Sequence, residues 1–457
     1  MNAQPVGPVP AGYTDHDAER LYLTLDPDDY RTRFGRDYDR LVHTSAFRRL
    51  QGKTQVISPG EADFFRTRLT HSIEVAQLSR RLGEILGASP DLCEAAAILH
   101  DLGHPPFGHV GEEALKHVLD ETAHNWRLNP ITEVGGFNGN AQSFRLAVKS
   151  LSQSHSFEGL DLTRGVLDGA VKYPYLRSQR GVQGSSKRWC FYPTEQAEAT
   201  WMRQGVPPAR RFEKSMEAQI VEWADDVAYS IHDLEDWYRA GFMPLEMLAQ
   251  SSVFRDEFAK AIAPGLVNAA FNAPQVEAET RALFASPTFA GFTRAYDGSA
   301  EVKKAIRLMR KDLFTKFTNV QVAASGTPAR RHENDLHVDP LVRLQNGILK
   351  QLLWEFVIDH PRMATHQMGQ RKVAEELFTL HIDALHYDPS VGRIDSDKAE
   401  LEIYPPDLRD ALCNPKATPP DILRLVADRV SGMTDEYAVR LHARLTGSAP
   451  GIFNAFV

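Results

Sequence analysis

At 457 residues, 42% hydrophobic and 25% charged, the chain has the composition of a globular protein with ample material for a large core, in one domain or two. Its net charge of −8 and pI near 6.1 argue against a protein that coats nucleic acid or anionic lipid over its whole surface, while local basic patches stay allowed. Cys93, Cys190 and Cys413 stand far apart and in no CxxC spacing, which indicates neither a disulfide framework nor a thiolate metal site.

Met1–Tyr13 is rich in Pro, Gly and Ala, with neither a basic nor an apolar leader region, and no apolar run is long enough to span a bilayer. The expectation is a soluble, cytoplasmic protein with a loose N-terminal tail. Apolar spacing is helical nearly everywhere and alternating Val, Ile and Thr runs are scarce, which predicts an all-α protein. Asp39–Gln51 is the first predicted helix. A turn follows at Val56–Glu61, with a small β-hairpin placed near residues 55–65. Ile73, Ala76, Leu82, Ile85 and Leu86 mark a helix over Thr70–Leu86 that ends at Gly87. Ser89 as N-cap, Pro90 in the first position and Asp91 in the first turn then start a helix that stops at Gly103. The rigid Pro105-Pro106 turn leads into another helix near Gly108, on which His109 and Glu112 share a face.

Residues 172–188 carry Lys172, Arg177, Arg180, Lys187 and Arg188 without an acid, beside Tyr173 and Tyr175. They read as a solvated basic loop, or as a contact for nucleic acid, a second nucleotide or a neighbouring subunit. Arg211–Ala240 is a long predicted helix with an apolar stripe of Ile220, Ala224, Val227, Ile231 and Leu234. Asp225, Tyr229 and Asp233 recur at i, i+4 and i+8 on another stripe. Helical segments follow near 253–264, 298–322, 340–359, 361–386 and 419–446, with a break at Ala324–Pro328. The expected organisation is a tail and first segment over 1–30, a core over 31–330, and a helical C-terminal region over 331–457 that packs on the core or stands as a subdomain.

The chemistry concentrates in Ile98–Glu112, where a run of small and apolar residues delivers adjacent His100 and Asp101 to a helix exit. One imidazole and one carboxylate cannot close a coordination sphere, so further ligands suited to Mg²⁺, Mn²⁺, Fe²⁺ or Zn²⁺ are needed. His71, in Arg66-Thr67-Arg68-Leu69-Thr70-His71-Ser72, and Asp225 are the candidates. Arg66 and Arg68 are placed to face one anion. His109 is suited to proton transfer near neutral pH, with Glu112 beside it to set its tautomer.

His71, His100-Asp101 and Asp225, with His-Asp-Leu-Gly-His-Pro-Pro-Phe-Gly-His-Val-Gly-Glu between them, resemble the HD superfamily of phosphohydrolases. Within it, the motifs Phe47–Val56, Arg66–Ser72, Asn140-Ala141-Gln142-Ser143 and Ala224–Tyr229 resemble those of the deoxyguanosine triphosphate triphosphohydrolase branch, in that branch's order and over roughly residues 30 to 240. The resemblance implies an enzyme that hydrolyses a dNTP, dGTP among them, to deoxynucleoside and inorganic triphosphate, and so controls dNTP pools. It implies a divalent ion, Mn²⁺, Mg²⁺ or Co²⁺, as one ion or two, on His71, His100, Asp101 and Asp225. His109 and Glu112 are then catalytic. Arg68 binds phosphate; His104 is taken as a phosphate contact, with a metal ligand or an ordinary polar residue as alternatives. Tyr229, Asp233, Gln55 and Val56 line the sugar pocket.

A homo-oligomer is implied too, with single-stranded DNA or a second dNTP as candidate regulators and no membrane partner. The sequence departs from some relatives in having Gly139 where they carry a histidine and Asp226 where they carry a lysine. Cations must then come from elsewhere: Arg307, Arg310 and Lys311, on one predicted helix, are candidate replacements, with plain solvated charge as the alternative for them. The rival expectations are another HD-type nucleotide phosphohydrolase, or a non-catalytic nucleotide or nucleic-acid sensor on the same scaffold.

Overall fold

A computed structural model describes residues 9–22, 31–55, 65–151, 157–181, 187–322, 331–358, 361–395 and 397–448. Among them are eighteen α-helices and two short antiparallel ladders, Gln321–Val322 with Leu336–His337 and Tyr387–Asp388 with Arg393–Ile394. The fold is all-α, as expected. The turn and hairpin placed around Val56–Glu61, and the break at 324–328, lie outside the described residues.

Capping residues explain where the helices differ from their predicted bounds. The first predicted helix is two, Arg33–Val42 and Ser45–Arg49, because Thr44 restarts the chain by accepting a hydrogen bond from the Phe47 amide at 3.1 Å. Ser215 caps the long helix, which runs Met216–Arg239 rather than from Arg211. Thr434 divides the last predicted segment into Pro419–Ser431 and Asp435–Leu445. A helix at Ala273–Phe284 has no predicted counterpart; its Asn272 cap and early Pro274 were the available signals.

Among the described residues, two large apolar cores organise these elements. In the larger, Arg68–Leu86, Pro90–Leu99 and Met216–Arg239 pack against one another. Ala95, Ala96 and Ala97 are fully buried there, and their small side chains let the neighbouring backbones come close. In the smaller core, helix Gly108–Asn125 packs against Pro361–Asp383 and Pro419–Ser431. Its centre is Leu119, Phe378, Leu423 and Val426, all fully buried. The chain's first described segment is tied down rather than loose: Tyr13 is buried and its hydroxyl donates to Glu217 Oε1 at 2.6 Å. Among the described residues no helix is long and apolar enough to cross a membrane.

Candidate functional site

Three helices of the larger core converge on one point. His71 lies in the first turn of Arg68–Leu86, His100 is the C-cap of Pro90–Leu99, and Asp225 projects from the middle of Met216–Arg239. Asp101 follows His100 where the helix has ended. His71 Nε2 is 3.0 Å from Asp225 Oδ1. His100 Nε2 lies 3.4 Å from Asp101 Oδ1 and 3.7 Å from Asp225 Oδ1. The structure therefore brings together all four predicted ligands.

Among the described residues, no three such groups already surround a common point as a ready coordination sphere. The carboxylates instead face cations of the chain: Arg68 Nη1 binds Asp101 Oδ2 at 3.0 Å, and Lys172 Nζ binds Asp225 Oδ2. The donor set nevertheless fits a divalent cation. His100 Nδ1 donates to the Ala97 carbonyl, which leaves Nε2 as the lone-pair nitrogen. That atom is buried, without a hydrogen-bond partner, and aimed between two carboxylates. Two imidazoles and two carboxylates match a borderline or hard divalent ion.

Electrostatics keep the carboxylates charged. Burial alone would raise Asp101, but the His100 imidazole beside it and the Arg68 guanidinium at 3.0 Å outweigh it and hold the group far below the usual range. Asp225 behaves likewise: burial is overcome above all by the Lys172 ammonium, and the His71 imidazole 3.0 Å away adds to it. His104 is pushed down to about 3, first by burial and then by Arg68. Its Nδ1 stands 3.1 Å from Asp101 Oδ1.

The exit of the His100 helix is shaped by the Asn-Ala-Gln-Ser motif. Ser143 Oγ accepts from the Gly103 amide and donates to the His100 carbonyl, both at 2.9 Å. A Cβ on Gly103 would come within 2.1 Å of the Ser143 amide nitrogen, so only glycine fits this crossing. Gly139, the departure noted in sequence, lies against the His104 ring, 3.3 Å from where its Cβ would stand.

His109 and Glu112 meet, Nδ1 to Oε2 at 3.3 Å, with the imidazole 62% exposed and the carboxylate 13%. Glu112 Oε1 accepts 2.8 Å hydrogen bonds from Asn138 Nδ2 and the Gly139 amide. Burial would raise its carboxyl, but the hydrogen bonds from His109 and from the Gly139 amide outweigh this and hold it at about 2. Asn138 was missed in sequence; its place beside the Asn-Ala-Gln-Ser motif was the signal.

On the stripe of the long helix, Tyr229 hydrogen-bonds Asp233. Burial, then the nearby charge of Asp236, pushes the Asp233 carboxyl well up. Asp233 Oδ2 is a buried acceptor without a partner, as is Gln55 Oε1. Val56 lies outside the described residues.

Three expectations about cations are corrected. Arg66 does not share an anion with Arg68: it binds Asp236, Glu235 and Glu74. Arg310 turns to Glu235 at 3.5 Å, while Arg307 and Lys311 stay exposed. The start of the basic segment is no solvated loop. Lys172 is buried against Asp225, and Arg177 binds Asp120. Lys172 was the cation missed in sequence, hidden among surface charges. Beside it opens a cavity of about 590 Å³ lined by Tyr173, Tyr175, Lys214, Trp223 and Arg343 among others.

Helical layout, the His-Asp helix exit and the convergent imidazoles and carboxylates define a phosphohydrolase of the HD class, and the comparisons agree. The HD domain family model matches residues 68–230, and that of the phosphohydrolase-associated domain matches residues 336–444. The chain is 35% identical over 431 residues to a deoxyguanosinetriphosphate triphosphohydrolase-like protein of Streptomyces coelicolor, covering 91% of this chain and 93% of the relative. It is 32% identical over 446 residues to a protein of the same description from Bifidobacterium longum, covering 95% and 87%. A third, from Bordetella pertussis, is 32% identical over 426 residues, covering 92% and 91%. The chain belongs to the deoxyguanosinetriphosphate triphosphohydrolase-like family of HD-domain proteins.

Proposed function

We propose that this protein is a metal-dependent dNTP triphosphohydrolase of the cytoplasm, releasing deoxynucleoside and intact inorganic triphosphate. The single observation that carries the reading is the convergence of His71, His100, Asp101 and Asp225 around an unpartnered His100 Nε2. His71, His100, Asp101 and Asp225 would hold a divalent cation, which when bound would supply Lewis-acid polarisation at the α-phosphate and activation of water. The remaining chemistry belongs to the chain. Arg68 and Lys172, both buried at the cluster, offset charge on the phosphates. His104, neutral at pH 7, offers a ring nitrogen to a phosphate oxygen.

Glu112, anchored by Asn138 and the Gly139 amide, holds the proton of His109 on Nδ1 and leaves Nε2 to accept or return one. The bond from water oxygen to α-phosphorus forms as the bond to the 5′ oxygen breaks. The proton lost by the water is balanced by the one gained by the 5′ oxygen, and His109 handles one of these transfers. Tyr229 and Asp233, with Gln55 and Val56, hold the deoxyribose. The unpartnered Asp233 Oδ2 and Gln55 Oε1 suit a sugar hydroxyl and a neighbouring donor. A close fit there excludes the 2′-hydroxyl of ribonucleotides.

The test is hydrolysis of each of the four dNTPs, with GTP as control, in Mg²⁺, Mn²⁺ and Co²⁺, with products resolved by ion exchange. Triphosphate plus deoxynucleoside, lost in Asp101→Ala, is the expected outcome. Monophosphate plus pyrophosphate assigns a different HD phosphohydrolase. No turnover of any dNTP, singly or mixed, leaves a nucleotide sensor.

A further inference from the structure

The turn that presents His109 is gripped from the far end of the chain. Phe107, two residues before His109, has φ of 66°, in the left-handed region that a residue with a Cβ rarely adopts. Its amide donates to Asp435 Oδ1 at 2.9 Å. The other oxygen of the same carboxylate accepts from the Thr54 amide at 3.0 Å and from the Thr54 hydroxyl. The Thr54 carbonyl in turn accepts from Arg68 Nε at 3.3 Å. One buried carboxylate thus touches the backbone that leads to the proposed proton-transfer residue and the backbone that holds the proposed phosphate-binding arginine.

Asp435 is not spent on its own helix. The amide of Tyr437 in the first turn of Asp435–Leu445 is capped by the Thr434 side chain, so the Asp435 carboxylate is directed away to the catalytic loop. Lys53 completes the grip: its buried Nζ donates to the His104 carbonyl at 2.5 Å and to the Ser431 carbonyl at 2.8 Å. The segment from His104 to Phe107 is therefore held at both ends. Pro105 and Pro106 stiffen the middle.

We infer that Asp435 is a positioning residue for the His109–Glu112 pair, by which the phosphohydrolase-associated region sets the geometry of the catalytic turn. Without Asp435, the Phe107 amide loses the bond that holds its left-handed backbone, and His109 leaves the reach of the substrate, while His71, His100 and Asp225, set by helices of the larger core, keep their places. The inference rests on the assignment of proton transfer to His109, and its test separates the two.

The full-length chain is compared with Asp435→Ala and, as a stability control in the same small core, Leu423→Ala. Expected for Asp435→Ala is a fall in kcat for dNTP hydrolysis of about 30-fold or more, with Mn²⁺ affinity by calorimetry unchanged. Leu423→Ala, matched or lower in melting temperature, keeps kcat within about threefold of the parent. In protein labelled with ¹³C at histidine Cε1, the His109 resonance, assigned with His109→Gln, moves in Asp435→Ala and stays in Leu423→Ala. An unmoved His109 resonance overturns the inference whether or not dNTPs are substrates. A parent that hydrolyses no dNTP overturns the functional reading alone, since the resonance still reports the turn. Equal kcat losses in both variants reduce Asp435 to a structural role and overturn it as well.

Discussion

The proposed metal cluster and the His109–Glu112 pair lie close together, yet they are built differently. His71, His100, Asp101 and Asp225 are nearly fully buried or held by buried partners, and each stands on or directly after a helix of the larger core. Their separations are set by helix packing. His109 is largely exposed, follows a left-handed Phe107, and starts a helix that belongs to the smaller core. A left-handed residue with a Cβ costs about 1–2 kcal/mol, so this turn persists through contacts it receives. In the proposed mechanism, ion binding and proton transfer depend on separate parts of the chain and can be lost separately.

The comparison breaks most completely at Asp101. Asp101→Ala removes a proposed charged ligand and leaves Arg68 without its carboxylate; kcat/KM is expected to fall by about 10³-fold or more, with Mn²⁺ binding by calorimetry lost as well. His109→Ala sharpens the division from the other side. Its kcat falls by about 10²–10⁴-fold while Mn²⁺ affinity and dNTP binding, measured on the same protein, stay near those of the parent.

Lys172→Met is expected to raise KM for the dNTP by about tenfold, the value of one charge-assisted hydrogen bond. Steady-state kinetics against phosphate-chain length checks it: deoxynucleoside binding should not change. A KM unmoved by this substitution removes Lys172 from the phosphate site.

The smallest effect concerns acid stability. Glu112 is held at about 2 against an ordinary 4.5, a depressed carboxyl. It contributes stability that is fully present above about pH 4.5 and is lost as pH falls toward 2. Urea midpoints taken between pH 5 and pH 3 should fall more steeply for the parent than for Glu112→Gln. The excess slope approaches about 1.4 kcal/mol per pH unit for one proton. Parallel slopes would show that the Glu112 carboxylate gains nothing from His109 and the Gly139 amide in the folded state.

Much of the fold was legible because helix signals are local. Ser89, Pro90 and Gly87 mark helix ends through their own backbone preferences, and the i, i+4, i+8 recurrence of Asp225, Tyr229 and Asp233 follows from helix geometry alone. Bounds failed where one capping side chain outvoted apolar periodicity, as at Thr44, Ser215 and Thr434.

By itself the sequence determined an all-α chain, the family, and which imidazoles and carboxylates were candidates for one site, since residue chemistry and short-range spacing are written in order along the chain. Only the tertiary structure decided which cations meet those carboxylates. Lys172 joined Asp225 while Arg66, Arg307, Arg310 and Lys311 did not. It alone also decided that Asp435, 328 positions from Phe107, holds the turn before His109. Charge has no direction in a sequence, and a partner that far along the chain is chosen by packing, not by neighbouring residues.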